Sequence, residues 1–246
     1  MIQDARTSHA RYALVTGASS GIGKAMAERL ARAEYNLILA SDRDMELTLS
    51  HAELQYAYPN ATIETFSADL GAPGSAQRLY DAVSLRRPRI DVLVNGTWTG
   101  EEEIAGSRSL AAQIKTVRVN VEAMTVLTHR VAADMVASGG GRILTIALLP
   151  DASMRPTDVY SATSSFVENF SRDFGRQLDG TNVTVTHLRA RSSDGLGDIA
   201  ELALDGLLRG DSLVALDGMH ATPVLAHRAI ARRRRRTDVF SPVELE

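Results

Sequence analysis

Short apolar runs alternate along the chain with segments that repeat apolar side chains at helical spacing. The runs predict buried strands at residues 12–15, 36–40, 62–66, 90–95, 142–147, 183–188 and 212–216. Strands that are apolar throughout and joined by helical crossovers are typical of a parallel sheet covered on both faces. The pattern therefore predicts an α/β fold, a doubly wound parallel sheet of about seven strands. Its ligand crevice is expected at the carboxyl ends of the strands.

Helical spacing predicts the connecting helices at residues 24–30, 45–57, 75–84, from about 104 to 138, 159–178 and 199–208. Ser75 is the predicted N-cap of the third helix, because a serine hydroxyl accepts a hydrogen bond from a free N–H of the first turn. No break in composition divides the chain. Residues 1–246 are therefore predicted to form a single domain, with a basic extension at residues 222–246.

The loop between the first strand and the first helix has the sequence Thr-Gly-Ala-Ser-Ser-Gly-Ile-Gly, at residues 16–23. A glycine-rich turn allows backbone N–H groups to approach a phosphate, and the helix N-terminus adds a partial positive charge. An ordinary strand-to-helix loop is the alternative. The position of the turn favours dinucleotide binding. The predicted cofactor residues in this turn are Gly17, Ser19, Ser20, Gly21, Ile22 and Gly23.

Composition excludes several classes of protein. The chain of 246 residues has a formal net charge of −3, which argues against a general nucleic-acid binder, and it has no cysteine for a disulfide framework or a thiolate metal site. Neither His129 nor His187 has a metal-ligand partner at useful spacing, so a metal site is not predicted. The first 11 residues lack the apolar core of a signal peptide, and no apolar run is long enough to cross a bilayer. These features predict a soluble, cytoplasmic protein.

Five consecutive arginines, Arg232 to Arg236, interrupt the acidic balance of the chain. Such a run could bind nucleic acid or an anionic surface. A solvated helix end, where cations also suit the helix dipole, is the favoured interpretation.

Together these motifs resemble the short-chain dehydrogenase/reductase family from about residue 10 to residue 216. Residues 16–23 fit the family's T-G-x-x-x-G-x-G pattern in full. The resemblance implies a Rossmann-type fold, an NAD(P) cofactor and a small carbonyl or alcohol substrate. It also implies a homodimer or homotetramer in which long helices pair across a two-fold axis.

The same resemblance assigns residues to the site. Asp69, followed by Leu70, stands where the family has an acidic residue that hydrogen-bonds the adenine ring. Asn95 is the first residue of the family's N-N-A-G signature after strand four, and the chain keeps only that residue of it. Asn120 matches a helical asparagine whose backbone carbonyl holds a proton-relay water, and Tyr160 falls at the position of the catalytic tyrosine. The alternative for Asn120 and Tyr160 is a structural role in packing and hydrogen bonding.

Other positions depart from the family pattern. Ser164 stands where the family has a lysine four residues after the tyrosine, and residues 147–149 (Ala-Leu-Leu) have no hydroxyl where its catalytic serine is expected. An unperturbed tyrosine has a pKa of about 10, and the family's lysine lowers that pKa and binds the nicotinamide ribose. The loss of both side chains is expected to slow ketone reduction by orders of magnitude. A degenerate active site is therefore predicted.

Other cations could compensate for the missing lysine. Arg191, after strand six, is the preferred candidate, although a solvated surface arginine is equally compatible with the sequence. Arg155, before Tyr160, is a second candidate. Lys115 lies five residues before Asn120 and is expected on a different helix face.

The end of strand two influences the choice of cofactor. An acidic side chain there would bind ribose hydroxyls and select NAD, whereas Ser41 with Arg43 could accept a 2′-phosphate and select NADP. Asp42 lies one place after the usual acidic position, which Ser41 occupies, so the sequence favours NADP. Trp98, the single tryptophan, is expected near the crevice, as a wall of the pocket or as packing.

Two functions remain open from the sequence. The first is an NAD(P)-dependent oxidoreductase with an atypical site. The second is a non-redox protein that keeps the dinucleotide site and acts as a partner subunit, a sensor or a catalyst of another reaction. The feature that distinguishes the two functions is Ser164, a serine where the family has its catalytic lysine.

Overall fold

The computed structural model describes residues 10–87, 89–99, 109–149, 158–191 and 195–215. Its strands are β1 (Tyr12–Thr16), β2 (Asn36–Ser41), β3 (Ile63–Ser67), β4 (Val92–Asn95), β5 (Gly141–Leu149), β6 (Val183–Arg191) and β7 (Leu213–Ala215). Its helices are α1 (Gly21–Arg32), α2 (Asp44–Ala57), α3 (Ser75–Arg86), α4 (Leu110–Val117), α5 (Met124–Ala137), α6 (Asp158–Gln177) and α7 (Leu196–Arg209). A π-helical segment, Arg118–Ala123, connects α4 to α5.

The described strands form one parallel sheet in the order β3-β2-β1-β4-β5-β6-β7. The first three strands proceed outward from β1 in one direction, and β4 to β7 proceed in the other. The strand order therefore reverses between β1 and β4, which is where ligands bind in doubly wound sheets. This topology confirms the predicted Rossmann-type fold.

Alternate residues of each strand enter the two cores on opposite faces of the sheet, because successive side chains of a strand point to opposite sides. Leu14 and Ile38 pack on the face covered by α3, α5 and α6. Val15 and Leu39 pack on the face covered by α1, α2 and α7. Burial on both faces explains why the strands are apolar throughout.

Several predicted boundaries change. β5 and β6 extend to Leu149 and Arg191, because they pair residue by residue from Gly141 to the end of both strands. The prediction of Ser75 as an N-cap is wrong: Gly74 takes that position with φ +67°, and Ser75 is the first helical residue.

The long helix also differs from its prediction. Ser109 caps α4 by accepting a hydrogen bond from the backbone N–H of Ala112 at 3.2 Å, so α4 begins at Leu110. The predicted start, near residue 104, lies outside the described residues.

No helix in the described ranges is both long enough and apolar enough to traverse a bilayer. The basic extension at residues 222–246, with its arginine run, and Arg155 lie outside the described residues, so their predicted roles stay predictions.

Candidate functional site

The glycine-rich turn between β1 and α1 has space for glycine and for no larger residue at two positions. Gly17 adopts φ +67°, and a Cβ built on it would lie 2.7 Å from the carbonyl oxygen of Gly96. A Cβ on Gly23 would lie 2.2 Å from the carbonyl oxygen of Gly17. Both distances are well inside van der Waals contact, so the turn closes tightly on itself and on the loop after β4.

The hydroxyl of Thr16 fixes that loop to the turn. It accepts hydrogen bonds from the backbone N–H groups of Gly96 at 3.1 Å and Thr97 at 3.2 Å. Thr16 is almost fully buried. The carboxyl ends of β1 and β4 are therefore held together at the point where the strand order reverses.

A crevice of about 540 Å³ opens above this junction. Its walls come from the turn, from the ends of β2, β3 and β4, and from α4 and the π-helical segment. The N-terminus of α1, which has no acidic residue in its first turn, faces the crevice through Gly21 and Ile22. We call this turn, with Gly17 and Gly23 closed to a Cβ, the glycine cradle. A glycine cradle beside a helix N-terminus fits the pyrophosphate of a dinucleotide.

Most of the predicted cofactor residues lie on the walls of this crevice. These are Gly17, Ser19, Ser20, Gly21, Ile22, Arg43, Asp69 and Leu70. Gly23 is not on the crevice wall; it packs against the carbonyl of Gly17. Asn95 is buried beneath the crevice, where its Nδ2 donates a hydrogen bond to Thr128 Oγ1 at 3.0 Å.

The end of β2 is joined to the turn through two serines. The hydroxyls of Ser19 and Ser41 are 2.8 Å apart, and the backbone N–H of Arg43 donates to Ser41 Oγ at 3.2 Å. The position where an acidic side chain would select NAD thus carries a neutral hydroxyl, and Arg43 lines the crevice next to it.

Lys115 also lines the crevice, which its sequence spacing did not indicate. Its Nζ lies 3.9 Å from Asp42 Oδ2 and 3.7 Å from Asp69 Oδ1. The side chain passes over Gly71, where a Cβ would lie 2.7 Å from the Cγ and Cε atoms of Lys115. No signal in the sequence around Lys115 indicates this contact, because Gly71 is distant along the chain.

Asn120 lies in the π-helical segment, a geometry that is frequent at functional sites. Its Oδ1 accepts from the backbone N–H of Thr99 at 3.2 Å, and its Nδ2 donates to the Thr99 carbonyl at 3.0 Å and to Thr163 Oγ1 at 3.2 Å. Thr163 Oγ1 in turn donates to the Tyr160 carbonyl at 2.9 Å. The structure therefore connects the two predicted catalytic residues through Thr163.

Tyr160 is fully buried at the start of α6. Its ring meets the ring of Trp98 edge to face, with 5.6 Å between the centroids. Trp98 is also a wall of the crevice. The aromatic pair therefore links the predicted catalytic tyrosine to the end of the crevice beyond the glycine turn.

Ser164 lies one helical turn after Tyr160 and donates a hydrogen bond to its carbonyl at 3.0 Å. It lines a second cavity, of about 200 Å³, together with His187, Arg189 and Glu168. Arg189 Nη1 lies 3.6 Å from Glu168 Oε1. Arg189 is not among the site residues predicted from the sequence. It lies two residues after His187 and therefore on the same face of β6. This two-residue spacing is the signal that could have identified it.

His187 is almost completely buried, and its Nδ1 lies 3.1 Å from Thr145 Oγ1. Burial, with a smaller contribution from the charge of Arg189, lowers the pKa of His187 from 6.5 to about 4. Between these two pH values the unfolded chain binds a proton that the folded chain excludes. The contribution of neutral His187 to the free energy of unfolding is therefore fully present above pH 6.5 and is lost as the pH falls toward 4.

We expect acidification from pH 6.5 to pH 4 to remove about 3 kcal/mol through His187, since one pKa unit corresponds to about 1.4 kcal/mol. Urea unfolding across this range measures the loss, and His187→Gln should flatten the pH dependence. His51→Gln, on α2, is the control and should keep the slope of the unchanged protein. Equal slopes in all three proteins would contradict the assignment.

Comparisons with known proteins agree with this geometry. The profile of the short chain dehydrogenase family matches residues 11–190. An uncharacterized oxidoreductase, YvaG of Bacillus subtilis, is 30% identical over 206 residues, which cover 82% of this chain and 75% of that protein. A very-long-chain 3-oxoacyl-CoA reductase of Laccaria bicolor is 30% identical over 189 residues, which cover 72% of this chain and 53% of that protein. The chain thus spans about half the length of the latter relative.

Solved structures show the same fold. A bulky-bulky ketone specific alcohol dehydrogenase from Comamonas testosteroni superposes with a TM-score of 0.74 at 26% identity, over 83% of this chain and 85% of that chain. A metagenomic short-chain oxidoreductase in complex with NADP has a TM-score of 0.72 at 25% identity, over 84% of this chain and 96% of that chain.

The fold and the crevice define a dinucleotide-binding protein of the Rossmann class. With the family match over residues 11–190, the chain belongs to the short-chain dehydrogenase family of oxidoreductases.

Proposed function

We propose that this protein is an NAD(P)-dependent oxidoreductase that interconverts a small carbonyl compound and its alcohol, with a catalytic site reduced relative to its family. One observation carries the proposal. A crevice with a complete glycine cradle at one end reaches Trp98, and thereby Tyr160, at the other. The proposed proton donor is thus in contact with a wall of the proposed cofactor site.

NADP is the proposed cofactor. Ser41 takes the place of an acidic side chain that would repel a 2′-phosphate, and the neighbouring Arg43 lines the crevice. The NADP complex of the metagenomic relative supports the same choice. Asp69 is the proposed acceptor for the adenine amino group, and Gly17 to Ile22 hold the pyrophosphate.

When bound in the crevice, an NADP cofactor would supply the hydride chemistry of the proposed reaction. The Tyr160 hydroxyl donates a proton to the carbonyl oxygen as negative charge develops there, or removes it from the alcohol in the reverse direction. The proposed role of Asn120 is to hold a proton-relay water through its backbone carbonyl. The hydrogen bonds of its side chain to Thr99 and Thr163 hold this helical segment in place.

The absence of a lysine at residue 164 limits the rate in this proposal, because Ser164 carries no charge to stabilise a tyrosinate. Arg191, at the end of β6, is the proposed substitute cation that contacts cofactor or substrate.

A non-redox function is the second candidate, and the burial of Tyr160 favours it. No part of the Tyr160 side chain is exposed, whereas a proton donor must reach its substrate. In this alternative the protein binds the dinucleotide as a sensor or partner subunit and transfers no hydride.

Calorimetry with NADPH and NADH, followed by turnover over a panel of ketones and aldehydes, separates the candidates. We expect NADPH to bind, and Tyr160→Phe to lower carbonyl reduction at least about 100-fold while cofactor affinity stays unchanged. Tyr56→Phe, at a tyrosine that is 91% exposed on α2, is the matched control and should keep full activity. Binding without turnover of any substrate would favour the non-redox candidate, and binding of neither cofactor would exclude both.

A further inference from the structure

Three charged side chains converge at the adenine end of the crevice from parts of the chain that are distant in sequence. Lys115 comes from α4, Asp42 from the end of β2 and Asp69 from the loop after β3. All three side chains are about half exposed and line the crevice, with Arg43 beside them. The cluster therefore faces the space that the proposed cofactor occupies.

We propose that Lys115 selects a dinucleotide with a ribose 2′-phosphate, because its ammonium neutralises Asp42 and binds the phosphate when the cofactor enters. The inference rests on the proposed function, since it requires that the crevice hold a dinucleotide. It adds a specificity-determining residue on α4 to the serine and arginine at the end of β2.

The charge balance explains why a lysine is needed. Asp42 adjoins Ser41, and an unpaired carboxylate there would attract ribose hydroxyls and repel a phosphate that carries nearly two negative charges. The ammonium of Lys115, 3.9 Å from Asp42, offsets this repulsion. A phosphate attracts the ammonium more strongly than a single carboxylate does, so the lysine gains a better partner when the cofactor binds.

The path of the side chain makes this exchange feasible. Lys115 lies against Gly71, which has no Cβ to obstruct it, and its ammonium lies between two carboxylates without a hydrogen bond to either at 3.7 and 3.9 Å. Lysine is a compact charge on a flexible stem, so it can turn from Asp42 to a phosphate without backbone movement.

The chain has only two lysines, Lys24 and Lys115, and this makes a matched experiment possible. Lys24 pairs with Glu53 at 2.6 Å and does not line the crevice. We expect Lys115→Met to raise the Kd for NADPH about tenfold and to change the Kd for NADH less than about twofold, as measured by calorimetry. Lys24→Met removes the same charge and should leave both constants unchanged.

A double-mutant cycle isolates the pair. Because Asp42→Asn removes the charge that Lys115 compensates, Lys115→Met should change NADPH binding by a different factor in the Asp42→Asn variant than in the unchanged protein. Carbon-13 reductive methylation, which keeps the lysine charge, gives a structural readout by NMR. NADPH should shift the Lys115 signal more than NADH does, and neither should shift the Lys24 signal.

Two results overturn the inference. If Lys115→Met weakens NADPH and NADH equally, the lysine is a general adenine contact, and if NADPH binding is insensitive to the substitution, the lysine takes no part. In both cases the unchanged protein still binds NADPH, so the proposed function stands. Binding of neither cofactor by the unchanged protein refutes the proposed function and this inference together.

Discussion

Replacing Gly23 with alanine is expected to lower the free energy of unfolding by more than about 3 kcal/mol and to abolish detectable dinucleotide binding. The added Cβ would lie 2.2 Å from the carbonyl oxygen of Gly17, which is a backbone atom and cannot rotate away. Relief of the clash requires the turn to open, and this would move Gly17 away from Gly96. Urea unfolding measures the first effect, and calorimetry with NADPH measures the second.

Gly21→Ala is the matched comparison for stability. Gly21 also adopts a positive φ, of +56°, but a Cβ there meets no atom within 4 Å. The alanine should cost about 1 kcal/mol of stability, the usual penalty for an L-residue in the left-handed region. Equal losses from the two substitutions would show that backbone strain, and not the contact with Gly17, restricts the turn to glycine.

Replacing Ser164 with lysine is expected to raise kcat for carbonyl reduction about 100-fold. An ammonium one helical turn after Tyr160 favours the ionised tyrosine, and a pKa change of about two units corresponds to about 3 kcal/mol or two decades in rate. The cavity of about 200 Å³ next to Ser164 provides space for the longer side chain. Steady-state kinetics with the best substrate of the panel measures the gain.

Ala162→Lys is the control, because it adds the same charge to an exposed position of the same helix. It should leave kcat unchanged. Circular dichroism and thermal unfolding establish that both variants fold. If folded Ser164→Lys binds NADPH as the unchanged protein does and gains no activity, a missing cation does not limit the reaction, and the non-redox candidate is strengthened.

The parts of the fold and site that the sequence predicted are those that local chemistry determines. Apolar runs indicated the strands because a buried parallel strand needs apolar residues on both faces. The turn was recognisable because its glycines lie close together in the sequence: Gly23 is required by its contact with Gly17, and Gly17 adopts a positive φ. Its position at the end of β1 followed from the strand pattern.

Contacts between distant residues were not predictable in the same way. Nothing near Lys115 in the sequence indicates that Gly71 leaves space for its side chain, and nothing near Asn95 indicates Thr128 as its partner. The ends of β5 and β6 depend on each other across the sheet. The substrate, the homo-oligomer and the cytoplasmic location stay predictions.

The π-helical segment restricts which insertions and deletions this part of the chain tolerates. An α-helix turns about 100° per residue, and a π-type insertion adds one residue without lengthening the helix by a full step. Arg118–Ala123 therefore sets the rotation between α4, which carries Lys115, and α5, which carries Thr128 under the crevice. Loss of one residue there would rotate Lys115 away from the crevice or Thr128 away from Asn95. Substitutions at exposed positions of this helix should accordingly be tolerated, while single-residue deletions within 118–123 should be eliminated by selection.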